Sequence, residues 1–151
     1  MVRKALKESL ITSMRAKDKH AVSTLRLILA ALKDRDIAAR TRDNAEEVSD
    51  AEIVSMLQTM IKQRRESIVM FDKGDRPELA AKEAQEIVII EGFLPTQLSD
   101  DDLEGAVTAV MADLSATSLK DMGRVMGELR KRHAGQMDFG KAGSIAKKAL
   151  S

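Results

Sequence analysis

The chain has 151 residues, 44% of them hydrophobic, with 25 Lys and Arg against 24 Asp and Glu for a net charge of +1, which allows one sizeable core or two small ones. Cysteine is absent, so disulfides, thiol nucleophiles, iron–sulfur clusters and cysteine-ligated zinc are excluded together. Phe71, Phe93 and Phe139 are the only aromatic residues; the core must come from aliphatic side chains and nine methionines, and recognition of bases on aromatic platforms is disfavoured.

The start, Met1 to Glu8, is amphipathic, and no stretch approaches the roughly 20 apolar residues of a membrane span. A cytoplasmic protein with no membrane association is the expectation. Helical periodicity recurs throughout without the alternation that marks strands, so the fold class predicted is all-α. A first helix is expected over about Val2–Lys17, with Leu6, Leu10 and Met14 inward, followed by a turn at Asp18-Lys19-His20. The second, reaching about Ala39, sets Leu25, Ile28, Leu29 and Leu32 on one face. Residues 41–44 break the pattern, and Ser49 with Glu52 reads as a capping box opening a third helix. Its stripe is Ile53, Leu57, Met60, Ile61, Ile68 and Phe71, ended by Gly74 as a left-handed cap.

A fourth helix follows from Pro77, with Asp75 as its N-cap and Ile87, Val88 and Ile90 apolar, until Gly92 and Pro95 close it. Past that point the helices shorten, and a boundary near Pro95 divides a four-helix N-terminal domain, residues 1–94, from a three-helix C-terminal domain, residues 95–151. Ser99 caps a helix containing Leu103, Val107, Val110 and Leu114. Ser118 and Asp121 open the next, with Leu119, Met122, Val125, Met126 and Leu129 inward and Gly135 as its stop. Asp138 caps the last, whose stripe is Phe139, Ala142, Ile145, Ala146 and Leu150.

Charge is unevenly distributed in the C-terminal part. Residues 96–117 hold five acids and no base, whereas residues 118–151 hold eight bases and three acids. The basic set is Lys120, Arg124, Arg130, Lys131, Arg132, Lys141, Lys147 and Lys148, candidates for phosphate contact or else a solvated helix face. Lys62, Arg64 and Arg65 form a second basic knot, with Lys62 and Glu66 spaced to pair at i, i+4. Gly123 and Gly127 stand four residues apart inside a helix that each weakens by about 1 kcal/mol relative to alanine. They admit either an RNA backbone or partner helix, or the close packing of neighbouring helices in the same domain. His20, in a turn, and His133, beside the terminal carbonyls of its helix, have no second ligand at metal spacing. No metal, cofactor or catalytic residue is therefore assigned.

Three segments occur in order: Lys62-Gln63-Arg64-Arg65-Glu66-Ser67-Ile68, Phe93-Leu94-Pro95-Thr96-Gln97-Leu98-Ser99 and Asp121-Met122-Gly123-Arg124-Val125-Met126-Gly127. With Thr24 to Lys33 they make the chain resemble the YqeY family over nearly its full length, departing from the usual wording at Phe93, where Tyr is common, and over residues 132–138. The resemblance implies two helical pieces, the second similar to the tail domain of the B subunit of the tRNA-dependent amidotransferase, where the tail helps to hold tRNA. It implies a non-catalytic tRNA-binding accessory protein, with Lys62, Arg64 and Arg65, through their match to the family segment, as further candidates for an interdomain or RNA contact. An alternative is a module docking on an amidotransferase or aminoacyl-tRNA synthetase through the face around Met122 and Met126. The family label of carbon–nitrogen ligase with glutamine as amide donor finds no nucleotide-phosphate loop and no amidase-type nucleophile in these residues.

Overall fold

A computed structural model describes the backbone of residues 1–151 and every side chain except that of Asp43. The described residues form helices and turns without strands. In order these are α1 (Val2–Arg15), α2 (Lys19–Asp43), α3 (Asp50–Lys73), α4 (Pro77–Glu91), α5 (Asp100–Asp113), a 3-10 turn (Leu119–Asp121), α6 (Met122–Arg132) and α7 (Phe139–Leu150). Backbone packing divides them into two compact units, Met1–Leu94 and Pro95–Ser151.

In the first unit α1 packs on α2, and α3 on α4. The core joins Leu6 of α1, Leu25, Ile28, Leu32 and Ala39 of α2, Ile53, Met56, Leu57 and Ile61 of α3, and Ile87 and Ile90 of α4. Two members expected inward are instead exposed, Met14 by 50% and Val88 by 69%, since each falls at the edge of its helix's apolar arc. Two partly buried ion pairs brace the helices. Arg3 and Asp36 join α1 to α2 at 2.8 Å, and Arg64 and Glu86 join α3 to α4 at 2.9 Å.

Several helix ends fall where local chemistry places them. Asp18 accepts from the Ala21 amide at 3.1 Å and caps α2, so His20 lies in the helix rather than in a turn. The second helix runs past Ala39 to Asp43, and Asn44, at φ 53°, supplies its left-handed cap. Ser49 and Glu52 form the expected capping box on α3. At the other end of α3 two expectations exchange roles. Gly74 has φ −86° and Asp75 takes the left-handed conformation, φ 56°. Arg76 then donates back to the Phe71 carbonyl at 2.8 Å and occupies the N-cap of α4.

The second unit closes around Leu103, Val107 and Val110 of α5, Val125 and Leu129 of α6, and Ala142, Ala146 and Leu150 of α7, with Met137 from the α6–α7 turn. Ser99 caps α5 through the Asp102 amide at 3.1 Å, and Asp138 caps α7 through the Gly140 amide at 2.8 Å. Leu119 is 48% exposed rather than buried, because the first turn before α6 is 3-10 and lies off the α-helical stripe. The sixth helix ends at Arg132 with His133 as its cap; Gly135, at φ 73°, serves the following turn. That turn is fastened by Gln97, whose Nε2 donates to the Gly135 carbonyl at 2.6 Å, and by the Leu98 amide donating to the Gln136 carbonyl at 2.9 Å.

Candidate nucleic-acid interface

The two charge blocks of the C-terminal sequence meet in space. Lys141 of α7 reaches Asp100 at the start of α5 at 2.7 Å, and this ammonium holds the Asp100 carboxyl below the usual carboxylate range. Arg132 bonds to Asp113 at 2.7 Å and to Glu128 at 2.8 Å. Arg124 bonds to Asp121 at 2.7 Å. The Asp121 carboxylate also accepts from the amides of Thr117 at 2.9 Å and Ser118 at 3.3 Å. The Thr117 amide, the Arg124 guanidinium and then the Ser118 amide bring its pKa down to about 2. Eight acids and eight bases in residues 95–151 thus partly cancel. The local excess read from residues 118–151 is smaller than the sequence alone implies, because α5 folds its carboxylates onto α6 and α7.

Lys120, Arg130, Lys131, Lys147 and Lys148 are exposed and form no ion pair with a carboxylate among the described residues. Arg130 instead lies over the ring of Phe139, 5.7 Å from its centroid, a contact that orients the guanidinium without neutralising it. Met126 faces Gly143, with its Cε 3.7 Å from where a Cβ on that glycine would lie. Together the 126–143 and 130–139 contacts define an antiparallel α6–α7 hairpin.

Gly123, Gly127 and Arg130 follow at i, i+4 and i+7 on the outer side of α6, with Lys120 before them and Lys131 one turn after Gly127. A Cβ built on Gly123 or Gly127 meets nothing within 4 Å. These glycines therefore do not serve close helix packing inside the unit, and Gly143, which faces Met126, likewise leaves ordinary van der Waals room for a Cβ. Lys147, one turn beyond Gly143, extends the cationic strip onto α7.

The remaining candidates lie elsewhere. In the first unit Arg64 is committed to Glu86, with side-chain exposures of 13% and 12%, and its Nη1 donates to the Met60 carbonyl at 3.2 Å. Arg65 pairs with Glu91 at 3.4 Å. Lys62 is exposed, and no ion pair joins it to Glu66. The knot read as one basic patch is thus two helix-bracing arginines and one solvated lysine. Met122 and Met126 are partly buried against the second core. The His133 ring lies 3.3 Å from Gln136 Oε1 rather than against helix carbonyls. Nothing in the sequence signalled the long-range roles of Gln97, which reaches a partner 38 residues away as well as the neighbouring Pro95 carbonyl, or of Asp36, whose partners are 33 and 12 residues away.

The fold and this surface define an all-helical protein whose second unit presents an open glycine-bearing, cationic helix face. The chain belongs to the YqeY family, whose model, described as Yqey-like protein, matches residues 3–150. It is 34% identical over 113 residues to altered inheritance of mitochondria protein 41 of Kluyveromyces lactis, covering 73% of this chain and 58% of that protein. Its counterpart of the same name in Lachancea thermotolerans is 29% identical over 116 residues, 75% of this chain and 59% of that protein. The chain thus spans about three-fifths of the length of these relatives. Both are named as mitochondrial proteins, which overturns the expectation of a cytoplasmic location. Among the described residues no helix is long and apolar enough to cross a membrane, but that property does not distinguish one compartment from another.

Proposed function

We propose that the protein is a non-catalytic tRNA-binding accessory protein that contacts the phosphate backbone through the α6–α7 face of its second unit. The observation carrying this reading is the open space above Gly123 and Gly127, flanked by cations that no carboxylate neutralises. An RNA backbone gains from close approach to a helix without side chains and from nearby ammonium and guanidinium groups, whereas a solvated helix would gain from alanine at both positions. Lys120, Arg130, Lys131, Lys147 and Lys148 are the contact residues. Arg64, Arg65, Arg124, Arg132 and Lys141 are engaged in ion pairs and support the fold. The names of the relatives specify no ligand, so the ligand class rests on the surface and on the likeness of this part to an amidotransferase tail domain. No step of amide transfer is assigned to any residue.

The test is binding of the full chain to total tRNA across a salt series, beside the triple variant Lys120→Ala, Arg130→Ala, Lys131→Ala. Saturable binding is expected, with the slope of log affinity against log salt flattened by about one for each phosphate contact removed. Absence of binding at low salt overturns the reading and leaves docking on an amidotransferase or synthetase as the surviving alternative.

A further inference from the structure

Helix α2 is apolar on two sides. Leu25, Ile28, Leu32 and Ala39 are buried in the first core, whereas Leu27 and Ile37 remain 50% and 49% exposed. On the exposed side Ser23, Leu27, Ala30, Asp34 and Ile37 succeed one another at alternating steps of four and three, the spacing of a coiled-coil seam. Lys19, Arg26 and Lys33 recur every seven residues beside it, about 10 Å apart along the helix. They occupy the flanking position from which charged side chains select the charges of a facing helix. None of the three forms an ion pair among the described residues. At the N-terminal end the strip opens into a depression of about 420 Å³ lined by Lys19, Val22, Ser23, Arg26 and Leu27.

We propose that this face of α2 is a docking surface for an amphipathic helix of a partner protein that carries acidic residues along its flank. Charge complementarity identifies the occupant. A phosphate backbone would meet the cations but gain nothing from Leu27 and Ile37, while a purely apolar ligand would leave Lys19, Arg26 and Lys33 uncompensated. A second copy in an antiparallel α2 pair would set this row of cations against itself, and like charges across a seam disfavour pairing. Asp34, the one acid in the seam, calls for a basic residue opposite it and fixes the register. The surface lies wholly on the first unit and is independent of the RNA reading of the second.

The test presents the full chain with two synthetic helical peptides about four heptads long, sharing a Leu and Ala seam and differing only in Glu or Lys at the flanking positions. The Glu peptide is expected to saturate the protein and shift the backbone amide resonances of residues 19–37. Its affinity should fall about tenfold or more in Arg26→Glu, Lys33→Glu, a variant that should instead accept the Lys peptide. Leu27→Ser should weaken the Glu peptide without changing its salt dependence. All three substitutions are on exposed side chains, and an unchanged circular dichroism spectrum checks the fold. The proposal is overturned if the Glu peptide does not bind, binds the charge-reversed variant equally, or shifts resonances elsewhere. Loss of tRNA affinity in the charge-reversed variant without any peptide binding would likewise sink it and reassign the strip to nucleic acid.

Discussion

Arg3 and Asp36 face each other through two parallel hydrogen bonds, Nη1 to Oδ2 at 2.8 Å and Nη2 to Oδ1 at 3.0 Å. Their side chains are only 17% and 13% exposed. Asp36 Oδ1 also accepts from the Val48 amide at 3.0 Å, and Arg3 Nη2 donates to the Val48 carbonyl at 3.4 Å. One carboxylate thereby fastens α1, α2 and the segment leading into α3. Asp36→Ala leaves a partly buried guanidinium and an amide without their acceptor, and we expect a loss of about 2 kcal/mol. It would be read as a lower urea midpoint at unchanged slope.

The same carboxylate sets an acid limit. The Arg3 hydrogen bonds, reinforced by the Val48 amide, hold Asp36 below its ordinary value of 3.8. Its contribution is therefore complete above that value and is lost as pH falls through the lower folded value. Stability curves of the parent and Asp36→Ala should differ at neutral pH and converge on acidification below pH 3.8. A constant difference at all pH values would refute the linkage.

Asp121 should titrate at about pH 2 in a carboxyl-detected NMR experiment. Because the Thr117 amide is the leading cause and Arg124 the second, Arg124→Ala should raise the value only part of the way towards 3.8. Full recovery of the ordinary value would assign the shift to the guanidinium alone.

Gly127→Ala should stabilise the protein by about 1 kcal/mol, since the added methyl meets nothing within 4 Å. Gly123→Ala should give less, being near the start of α6. If the open face receives RNA, both substitutions raise the melting temperature while weakening tRNA binding. Unchanged binding would remove the glycines from the interface.

Arg64→Ala should cost stability, about 2 kcal/mol, by leaving Glu86 partly buried without its partner. It should leave the salt slope of tRNA binding unaltered. Lys62→Ala should be nearly neutral in stability, and a change in slope there would extend the interface to the first unit.

The residues 95–151, expressed alone, are expected to fold into a helical unit, because Leu103, Val107, Val110, Val125, Leu129 and Leu150 close a core of their own. A random-coil circular dichroism spectrum would show that this core is insufficient by itself.

The all-α class was legible from the sequence because helical periodicity and capping are local: Ser49, Ser99 and Asp138 cap amides within a few residues of themselves. So was the family, carried by short ordered segments. The ends of α2 and α3 were less legible, since Asn44 and Asp75 adopt left-handed conformations that neighbouring residues also compete for. Charge pairing between helices was not legible. Asp100 and Lys141 are 41 residues apart and Arg64 and Glu86 are 22 apart, and only the folding of helices against one another brings such groups within hydrogen-bonding distance. Spacing within a turn was enough to read which segments become helices and, apart from Met14, Val88 and Leu119, which of their apolar residues turn inward. Tertiary structure alone decided which cations are neutralised and that Gly123 and Gly127 face open space, because both depend on what the rest of the chain places beside them.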